Sequence, residues 1–297
     1  MKVEIDPGSG FCGGVIRAIR TCEEYLSSGK GPLFSLGAIV HNEEEMHRLA
    51  SLGLETIDSL DVLTSAKEPL RGRTVLFRAH GEPPKVYARA RAMGLEVIDC
   101  TCPVVLALQK AIREAYSQVS PAGGSLAIFG KTGHPEVMGL VGQLEVSIPV
   151  FQSLEQARQM VRTGALRLDR KLELFSQTTM SPSEYGQVCS YLSSNMQNGA
   201  RLNVHNSICS QVATRHQKLI QFASLHDVIV FVSGLESSNG KVLYELCRGV
   251  NPSSYHITSC SELRREWFRD QGSVGVCGAT STPKWLLEQV AEKILSF

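Results

Sequence analysis

The chain has 297 residues, a net charge of +1 and 43% apolar residues, which is enough to bury the cores of two or three small domains. No basic run indicates a nucleic-acid partner, and no apolar stretch approaches the roughly 20 residues of a membrane span. The N-terminus alternates like a strand and lacks the apolar core of a signal peptide. We therefore expect a cytoplasmic protein whose nine cysteines stay reduced.

Short apolar runs typical of β-strands alternate along the chain with stretches of helical periodicity. The predicted strands cover residues 2–5, 33–36, 74–78, 96–99, 126–129, 172–175, 201–204, 228–232, 255–258 and 274–277. Helical spacing of apolar residues is clearest over residues 104–116 and 283–294. Strands that alternate with helices predict an α/β protein with parallel sheets.

Three stretches of the chain share one layout, in which a strand is followed by a cysteine and then by a helix. The three cysteines are Cys12, Cys102 and Cys209, which lie 90 and 107 residues apart. After each cysteine, polar clusters follow the next strand ends in the same order. The first clusters are His41-Asn42, His134-Pro135-Glu136 and Ser237-Ser238-Asn239, and the second are Ala79-His80-Gly81, Gln177-Thr178-Thr179 and Thr280-Ser281-Thr282.

This repeat predicts three small α/β domains, over residues 1–101, 102–205 and 206–297. The polar clusters fall where a strand ends and a helix begins, which is the ligand-binding edge of an open α/β sheet. Three such domains around a pseudo-threefold axis, in a trefoil, would gather three thiolates at one centre. Polar turns occur at this edge in any α/β protein. Such turns alone would explain one set of matching residues, but they explain poorly why the cysteines and both sets of polar clusters match.

The spacing of the three cysteines differs from that of other metal motifs. Zinc knuckles use close pairs of ligands, and ferredoxin loops use tightly spaced cysteines. Three converging thiolates suit a 4Fe–4S cubane whose fourth iron has no protein ligand and can act on a substrate as a Lewis acid. The remaining cysteines fall within helix or strand patterns and are expected to be small core residues, except Cys100, whose role beside Cys102 stays open.

The polar clusters favour an anionic ligand. His41, His80 and His134 fall at predicted strand ends, as do hydroxyl and amide side chains, and helix N-termini add backbone N–H donors there. A diphosphate fits this set of donors. The sequence has no Walker-type loop, which disfavours a nucleotide. Glu136 is the one carboxyl group in the clusters. Partial burial would raise its pKa and make it a proton donor, although a carboxylate at a helix N-terminus can also serve stability alone.

At these residues the sequence resembles the 4-hydroxy-3-methylbut-2-enyl diphosphate reductase family over essentially its whole length. The matching motifs are GFCGGV at 10–15, VHN at 40–42, AHG at 79–81, TCP at 101–103, GHPEV at 133–137, QTT at 177–179, IC at 208–209, SSN at 237–239 and STP at 281–283. The family usually has alanine where this chain has Cys100, and small hydroxyl residues shortly after the third cysteine, where this chain has Ser210-Gln211-Val212.

The resemblance implies a trefoil of three α/β domains around a 4Fe–4S cluster held by Cys12, Cys102 and Cys209. It implies reductive removal of the substrate hydroxyl to give isopentenyl and dimethylallyl diphosphates, with electrons from an external donor such as ferredoxin or flavodoxin. Glu136 and Thr178 would deliver protons and orient the substrate hydroxyl. The diphosphate would be held by His41, His80, His134, Ser237, Ser238, Asn239 and Ser281.

Two rival interpretations remain open on sequence grounds. One is another three-cysteine cluster enzyme with the same trefoil logic, such as one that resembles quinolinate synthase, which does not require the histidine and Ser-Asn residues. The other is a non-catalytic redox or oxygen sensor, which needs no proton relay and so leaves Glu136 and Thr178 without a role.

Overall fold

The computed structural model describes residues 1–64 and 72–297. In chain order the strands are β1 (Lys2–Ile5), β2 (Leu33–Leu36), β3 (Leu54–Ile57), β4 (Thr74–Phe77), β5 (Glu96–Asp99), β6 (Ser125–Phe129), β7 (Val150–Phe151), β8 (Leu172–Ser176), β9 (Leu202–Val204), β10 (Val228–Val232), β11 (Ser254–Ile257) and β12 (Ser273–Gly278). The helices are α1 (Gly13–Ser27), α2 (Glu43–Ser51), α3 (Asp61–Thr64), α4 (Pro84–Ala92), α5 (Pro103–Val119), α6 (Pro135–Val141), α7 (Leu154–Arg162), α8 (Pro182–Ser194), α9 (Ser210–Ser224), α10 (Ser238–Val250) and α11 (Lys284–Leu295).

These strands form three four-stranded sheets with one shared topology. Their orders are β3-β2-β4-β5, β7-β6-β8-β9 and β11-β10-β12-β1, and the pairs with a defined register are all parallel. If the strands of each sheet are counted along the chain, with β1 counted after β12, the second strand lies at one edge and the fourth at the other. The expected α/β class with three parallel sheets is therefore confirmed.

The N-terminal strand β1 completes the sheet formed by the three C-terminal strands β10, β11 and β12. Lys2 to Ile5 run beside Ser273 to Val276 in β12. The other fourth strands are β5 and β9, and each of the three is followed within a few residues by one of the cysteines of the repeat. The cysteines thus mark the places where the chain leaves one sheet and starts the next.

Central strands are apolar on both faces, as expected for parallel sheets with helices on either side. Strands β4 and β10 are buried along their whole length. In the second sheet, one face packs Phe129 and Leu174 against α7 and α8, and the other packs Ile128 and Phe175 against α5 and α6.

By backbone contacts the chain divides into two compact units. Unit 1 comprises Met1–Arg78, Ile98–Cys100 and Gln211–Phe297, and unit 2 comprises Ala79–Val97 and Thr101–Ser210. The predicted boundaries of three domains at 1–101, 102–205 and 206–297 stay a prediction. None of the helices in the described ranges is long and apolar enough to cross a membrane.

Candidate active site

The residues expected to form a site lie where strands end and helices begin. Cys12, Cys102, His134 and Ser237 are the N-cap residues of α1, α5, α6 and α10, and Cys209 directly precedes α9. The four N-cap residues have extended backbone, and the side chains of His134 and Ser237 accept hydrogen bonds from N–H groups of the first helical turn. The sequence repeat thus corresponds to a structural repeat of helix N-termini.

The backbone of each cysteine is held in the same way. The N–H of Cys12 donates to the carbonyl oxygen of Thr280 over 3.2 Å, that of Cys102 to Ala79 over 3.0 Å, and that of Cys209 to Thr178 over 2.9 Å. The three acceptors all belong to the second set of polar clusters that the sequence predicts. Each cysteine is therefore fixed to a polar turn of its own unit.

The chemistry of these three cysteines fits an iron–sulfur cluster. All nine cysteines are thiols, and Cys12, Cys102 and Cys209 are partly exposed beside the starts of helices, so their sulfur atoms are accessible to a metal. Cys100 differs, because its side chain is only 1% exposed and packs in the apolar core of unit 1. Burial raises the pKa of Cys100 and raises that of Cys22 to about 12, so neither thiol is suited to be a ligand.

Glu136 and Thr178 form a buried pair in unit 2. Thr178 donates from its backbone N–H to Oε1 of Glu136 over 2.7 Å, and from its hydroxyl to Oε2 over 2.8 Å. Glu136 is 2% exposed. Burial raises its pKa to about 7, against the opposing effect of the two hydrogen bonds from Thr178. A carboxyl group with this pKa can hold or release a proton near neutral pH.

His134 and His80 lie beside this pair in unit 2. Nδ1 of His134 accepts a hydrogen bond from the backbone N–H of Glu136 over 3.2 Å, so Nε2 carries the proton of the neutral ring. The rings of His80 and His134 meet edge to face, with centroids 5.3 Å apart. Two donors and a protonatable carboxyl group are thus gathered at one end of α6.

Glycines allow the close approach that positions α6. A Cβ on Gly139 would lie 2.6 Å from the carbonyl oxygen of Gly81, and one on Gly142 would lie 2.5 Å from the ring of Pro83. The helix that carries Glu136 therefore packs directly on the backbone that follows His80. A larger side chain at either glycine would push the two apart.

Unit 1 contains a second polar cluster of the same design. Thr280 donates from its N–H and its hydroxyl to Oδ1 of Asn239, over 3.2 and 3.1 Å, as Thr178 does to Glu136. The hydroxyls of Ser237 and Ser281 are 3.0 Å apart. Within the described ranges, the buried Nδ2 of Asn239 and Oγ of Ser238 have no hydrogen-bond partner, which indicates a polar ligand at this turn.

The His41 turn is fixed in unit 1 by three further contacts. Asn42 caps α2, because its Oδ1 accepts from the N–H of Glu45 over 3.0 Å. The buried Glu45 also accepts from Nε1 of Trp285 over 2.8 Å, and Gly234 packs against the carbonyl of His41, where a Cβ would lie 2.3 Å from the oxygen. The sequence did not indicate Glu45 or Trp285, because neither lies in a matched motif.

The three parallel sheets and the polar clusters at their strand ends, one of which holds a buried acid, define a class of protein, an α/β enzyme. A family model described as LytB protein matches residues 3–295. Relatives named 4-hydroxy-3-methylbut-2-enyl diphosphate reductase include those of Bacteroides fragilis and Porphyromonas gingivalis. Each is 45% identical to this chain, over 99% of it and over 97% and 98% of the respective relative.

The chain belongs to the LytB family of 4-hydroxy-3-methylbut-2-enyl diphosphate reductases. A solved structure described as that reductase, the terminal enzyme of the non-mevalonate pathway, is 32% identical, with full coverage of both chains and a TM-score of 0.69. A reductase structure from Plasmodium falciparum is 23% identical with a TM-score of 0.84, over 98% of this chain and 87% of that one, and supports the fold alone. Neither rival class, the quinolinate-synthase-like enzyme or the sensor, agrees with this family.

Proposed function

We propose that this chain reduces (E)-4-hydroxy-3-methylbut-2-enyl diphosphate to isopentenyl and dimethylallyl diphosphates, the last step of the non-mevalonate isoprenoid route. Two electrons and two protons enter for each substrate. The carbon–oxygen bond of the hydroxymethyl group breaks, the oxygen leaves as water and a new carbon–hydrogen bond forms. The observation that carries the proposal is the Glu136–Thr178 pair, a buried acid of pKa about 7 in a chain of this reductase family.

Cys12, Cys102 and Cys209 would hold a 4Fe–4S cluster as its three protein ligands, around which we place the three domains 1–101, 102–205 and 206–297. When bound, the cluster supplies electrons and an open iron position. Its electrons would come from an external carrier such as ferredoxin or flavodoxin. We place the protein in the cytoplasm, where thiols stay reduced.

The side chains of this protein bind the substrate and move protons. Ser238, Asn239 and the two histidines His80 and His134 offer hydrogen-bond donors, and His41, Ser237 and Ser281 complete the expected diphosphate site. Charge-assisted hydrogen bonds of this kind are about twice as strong as neutral ones. Binding energy from the diphosphate end orients the reacting carbon and hydroxyl group.

Glu136 would give a proton to the departing oxygen, with the Thr178 hydroxyl as its neighbour in the hydrogen-bond chain. The carboxyl is held on both oxygens, so its donor atom points in a fixed direction. Burial excludes the water that would otherwise compete for the proton. This role requires the protonated form, and a pKa of about 7 makes that form available at neutral pH.

A product assay after anaerobic reconstitution tests the proposal. Purified protein loaded with iron and sulfide, and supplied with a chemical reductant, should convert the diphosphate alcohol into the two isoprenoid diphosphates. A protein that takes up a cluster but forms neither product would contradict the proposed reaction. Formation of quinolinate from its precursors would instead support the rival enzyme class.

A further inference from the structure

A buried ion pair lies directly before the Cys12 loop in unit 1. Nη1 of Arg215 is 2.7 Å from Oδ2 of Asp6, and their side chains are 6% and 4% exposed. Asp6 follows β1 and is anchored by its N–H to the carbonyl of Val276 over 2.9 Å. Arg215 lies on α9. Neither residue belongs to a motif that the sequence singled out.

The hydroxyl of Ser9 joins this ion pair to the loop. It donates to Oδ2 of Asp6 over 2.7 Å and accepts from Nη2 of Arg215 over 2.7 Å. It also accepts from the N–H of Gly278 over 2.7 Å, and Nη2 of Arg215 donates to the carbonyl of Gly278 over 3.0 Å. One serine hydroxyl thus makes three hydrogen bonds and ties the loop to the end of β12.

The loop backbone is shaped to fit this network. A Cβ on Gly8 would lie 2.4 Å from Nη1 of Arg215, and Gly10 has a φ of +117°, which L side chains rarely adopt. The N–H of Gly8 points at Oδ1 of Asp6 over 3.4 Å. Two residues beyond Gly10 the chain reaches Cys12. Residues 6–12 are therefore held at their start by Asp6 and Arg215 and at their end by the bond from Cys12 to Thr280.

Stability alone does not account for a buried ion pair of this kind. Removal of two charges from water is expensive, and well-packed apolar residues of similar volume often stabilise as much or more. What the ion pair and Ser9 add is a single loop geometry, since four backbone atoms bond to them, namely the N–H of Gly8, the carbonyl oxygen of Val276, and the N–H and carbonyl oxygen of Gly278. Residues that orient metal ligands in this way act on the metal through the ligand.

We propose that Asp6, Ser9 and Arg215 are positioning residues for Cys12, which they hold in the orientation that keeps its thiolate bound to the cluster. This inference rests on the proposed function, in that Cys12 is taken as a ligand. It adds a group of three residues, none of which contacts the cluster in the proposal, that controls how long the cluster survives. Loss of the network would free the loop to turn its thiol away.

The test compares the variants Ser9→Ala, Arg215→Lys and Arg215→Met with the wild type after anaerobic reconstitution. The readouts are the electron paramagnetic resonance spectrum of the reduced cluster, the rate of cluster loss in air followed by visible absorption, and the melting temperature of the cluster-free protein. Arg48→Met is a control, because Arg48 forms an ion pair with the buried Glu45 over 2.6 Å and its guanidinium donates to Glu45 and Glu23, which lie outside the loop.

We expect Ser9→Ala and Arg215→Met to lose the cluster about 10- to 100-fold faster than the wild type, with an altered resonance spectrum. Arg215→Lys should fall between them and the wild type, because it keeps the charge but not the second arm to Gly278. Arg48→Met should lower the melting temperature and keep the wild-type spectrum and rate of cluster loss.

Wild-type spectra and rates in both Ser9→Ala and Arg215→Met would overturn the inference, whatever their melting temperatures. So would equal cluster loss in Arg48→Met at the same loss of melting temperature, since the effect would then be general destabilisation. A wild-type protein that takes up no cluster would instead contradict the proposed function. The two failures are thus distinguishable.

Discussion

Thr178 holds both oxygens of the Glu136 carboxyl group, one through its N–H over 2.7 Å and one through its hydroxyl over 2.8 Å. Both contacts favour the carboxylate, yet burial outweighs them and raises the pKa of Glu136 to about 7. When Oε2 carries a proton, the contact with the hydroxyl can reverse and Oε2 becomes the donor. This arrangement makes Glu136 a candidate for proton transfer rather than a helix-terminal carboxylate that serves only stability.

Replacement of Glu136 by Gln should separate these two roles. The variant keeps the size and one hydrogen-bond acceptor but cannot release a proton, so we expect cluster and substrate binding to persist while turnover falls by about 10²–10⁴-fold. Glu173→Gln is a matched control, because Glu173 is equally buried in unit 2 and pairs with His205 and Lys171. Near-normal turnover of Glu136→Gln together with a lowered melting temperature would remove Glu136 from the mechanism.

The same carboxyl group makes folding stability depend on pH. Between its unfolded pKa of 4.5 and its folded pKa of about 7, the native state holds a proton that the unfolded chain has lost. Its contribution is therefore complete below about pH 4.5 and is lost as pH rises through about 7, an effect on the order of 3 kcal/mol. Urea denaturation of the cluster-free protein from pH 4.5 to 8 measures it. The difference between wild type and Glu136→Gln should change across this window, and a constant difference would show that Glu136 is not buried as a neutral acid.

Cys100 and Cys102 lie two residues apart but should respond differently to substitution by serine. Cys102→Ser should lower the iron content and visible absorption of the reconstituted protein. Cys100→Ser should keep both and lose about 1–3 kcal/mol of stability, because it puts a hydroxyl in an apolar core. Iron analysis and thermal unfolding of the two variants measure these effects. Loss of the cluster in Cys100→Ser, with retention in Cys102→Ser, would assign the ligand to Cys100 instead.

Asn239 should contribute to diphosphate affinity through its unpartnered Nδ2. Asn239→Ala should weaken binding of a diphosphate ligand by about 1.5–3 kcal/mol and leave the iron content intact, as titration calorimetry can measure. Asn251→Ala is the control, because the Nδ2 of that buried asparagine donates to the carbonyls of Ala223 and His226. It should lower stability alone. Equal affinity of the wild type for the diphosphate and for its uncharged parent alcohol would contradict an anion site.

Gly139 should not tolerate a methyl group. Because a Cβ there would lie 2.6 Å from the carbonyl oxygen of Gly81, Gly139→Ala must move α6 away from the His80 turn, at a loss of about 1–3 kcal/mol. We expect both the melting temperature and turnover to fall. Gly186→Ala, at a helical glycine of the same unit where nothing lies within 4 Å of a Cβ, should leave turnover unchanged and raise the melting temperature slightly, because alanine favours the helix. An active, fully stable Gly139→Ala would show that this close approach does not position Glu136.

Ten of the twelve described strands follow from the sequence, because their apolar runs are bounded by turn residues. The two that it misses are β3 and β7, which lie at sheet edges. Strand β3 has two exposed polar residues in its centre, and β7 has only two residues in all. Periodicity over such short stretches carries little signal. The sequence also did not predict the pairing of β1 with β12, because a local pattern does not specify which strands become neighbours.

The predicted site residues lie in the turns between strand ends and helix N-termini, but the residues that hold these turns were not predicted. Asp6, Arg215, Glu45 and Trp285 act through contacts between residues more than 200 positions apart in the chain. No local pattern marks such a pair. Their roles depend on burial, because a buried charged or aromatic side chain can bond only to the few residues packed around it.

Thr178 and Thr280 make equivalent hydrogen bonds to two different side chains. Each donates from its N–H and its hydroxyl to the residue opposite, and in one repeat that residue is Glu136 while in the other it is Asn239. The two repeats thus differ in the terminal group that faces the threonine. The carboxyl group of Glu136 can release its proton, whereas the amide of Asn239 donates hydrogen bonds without losing a proton. The one residue that we propose as proton donor therefore lies in a single repeat, whereas the proposed donors to the diphosphate come from all three.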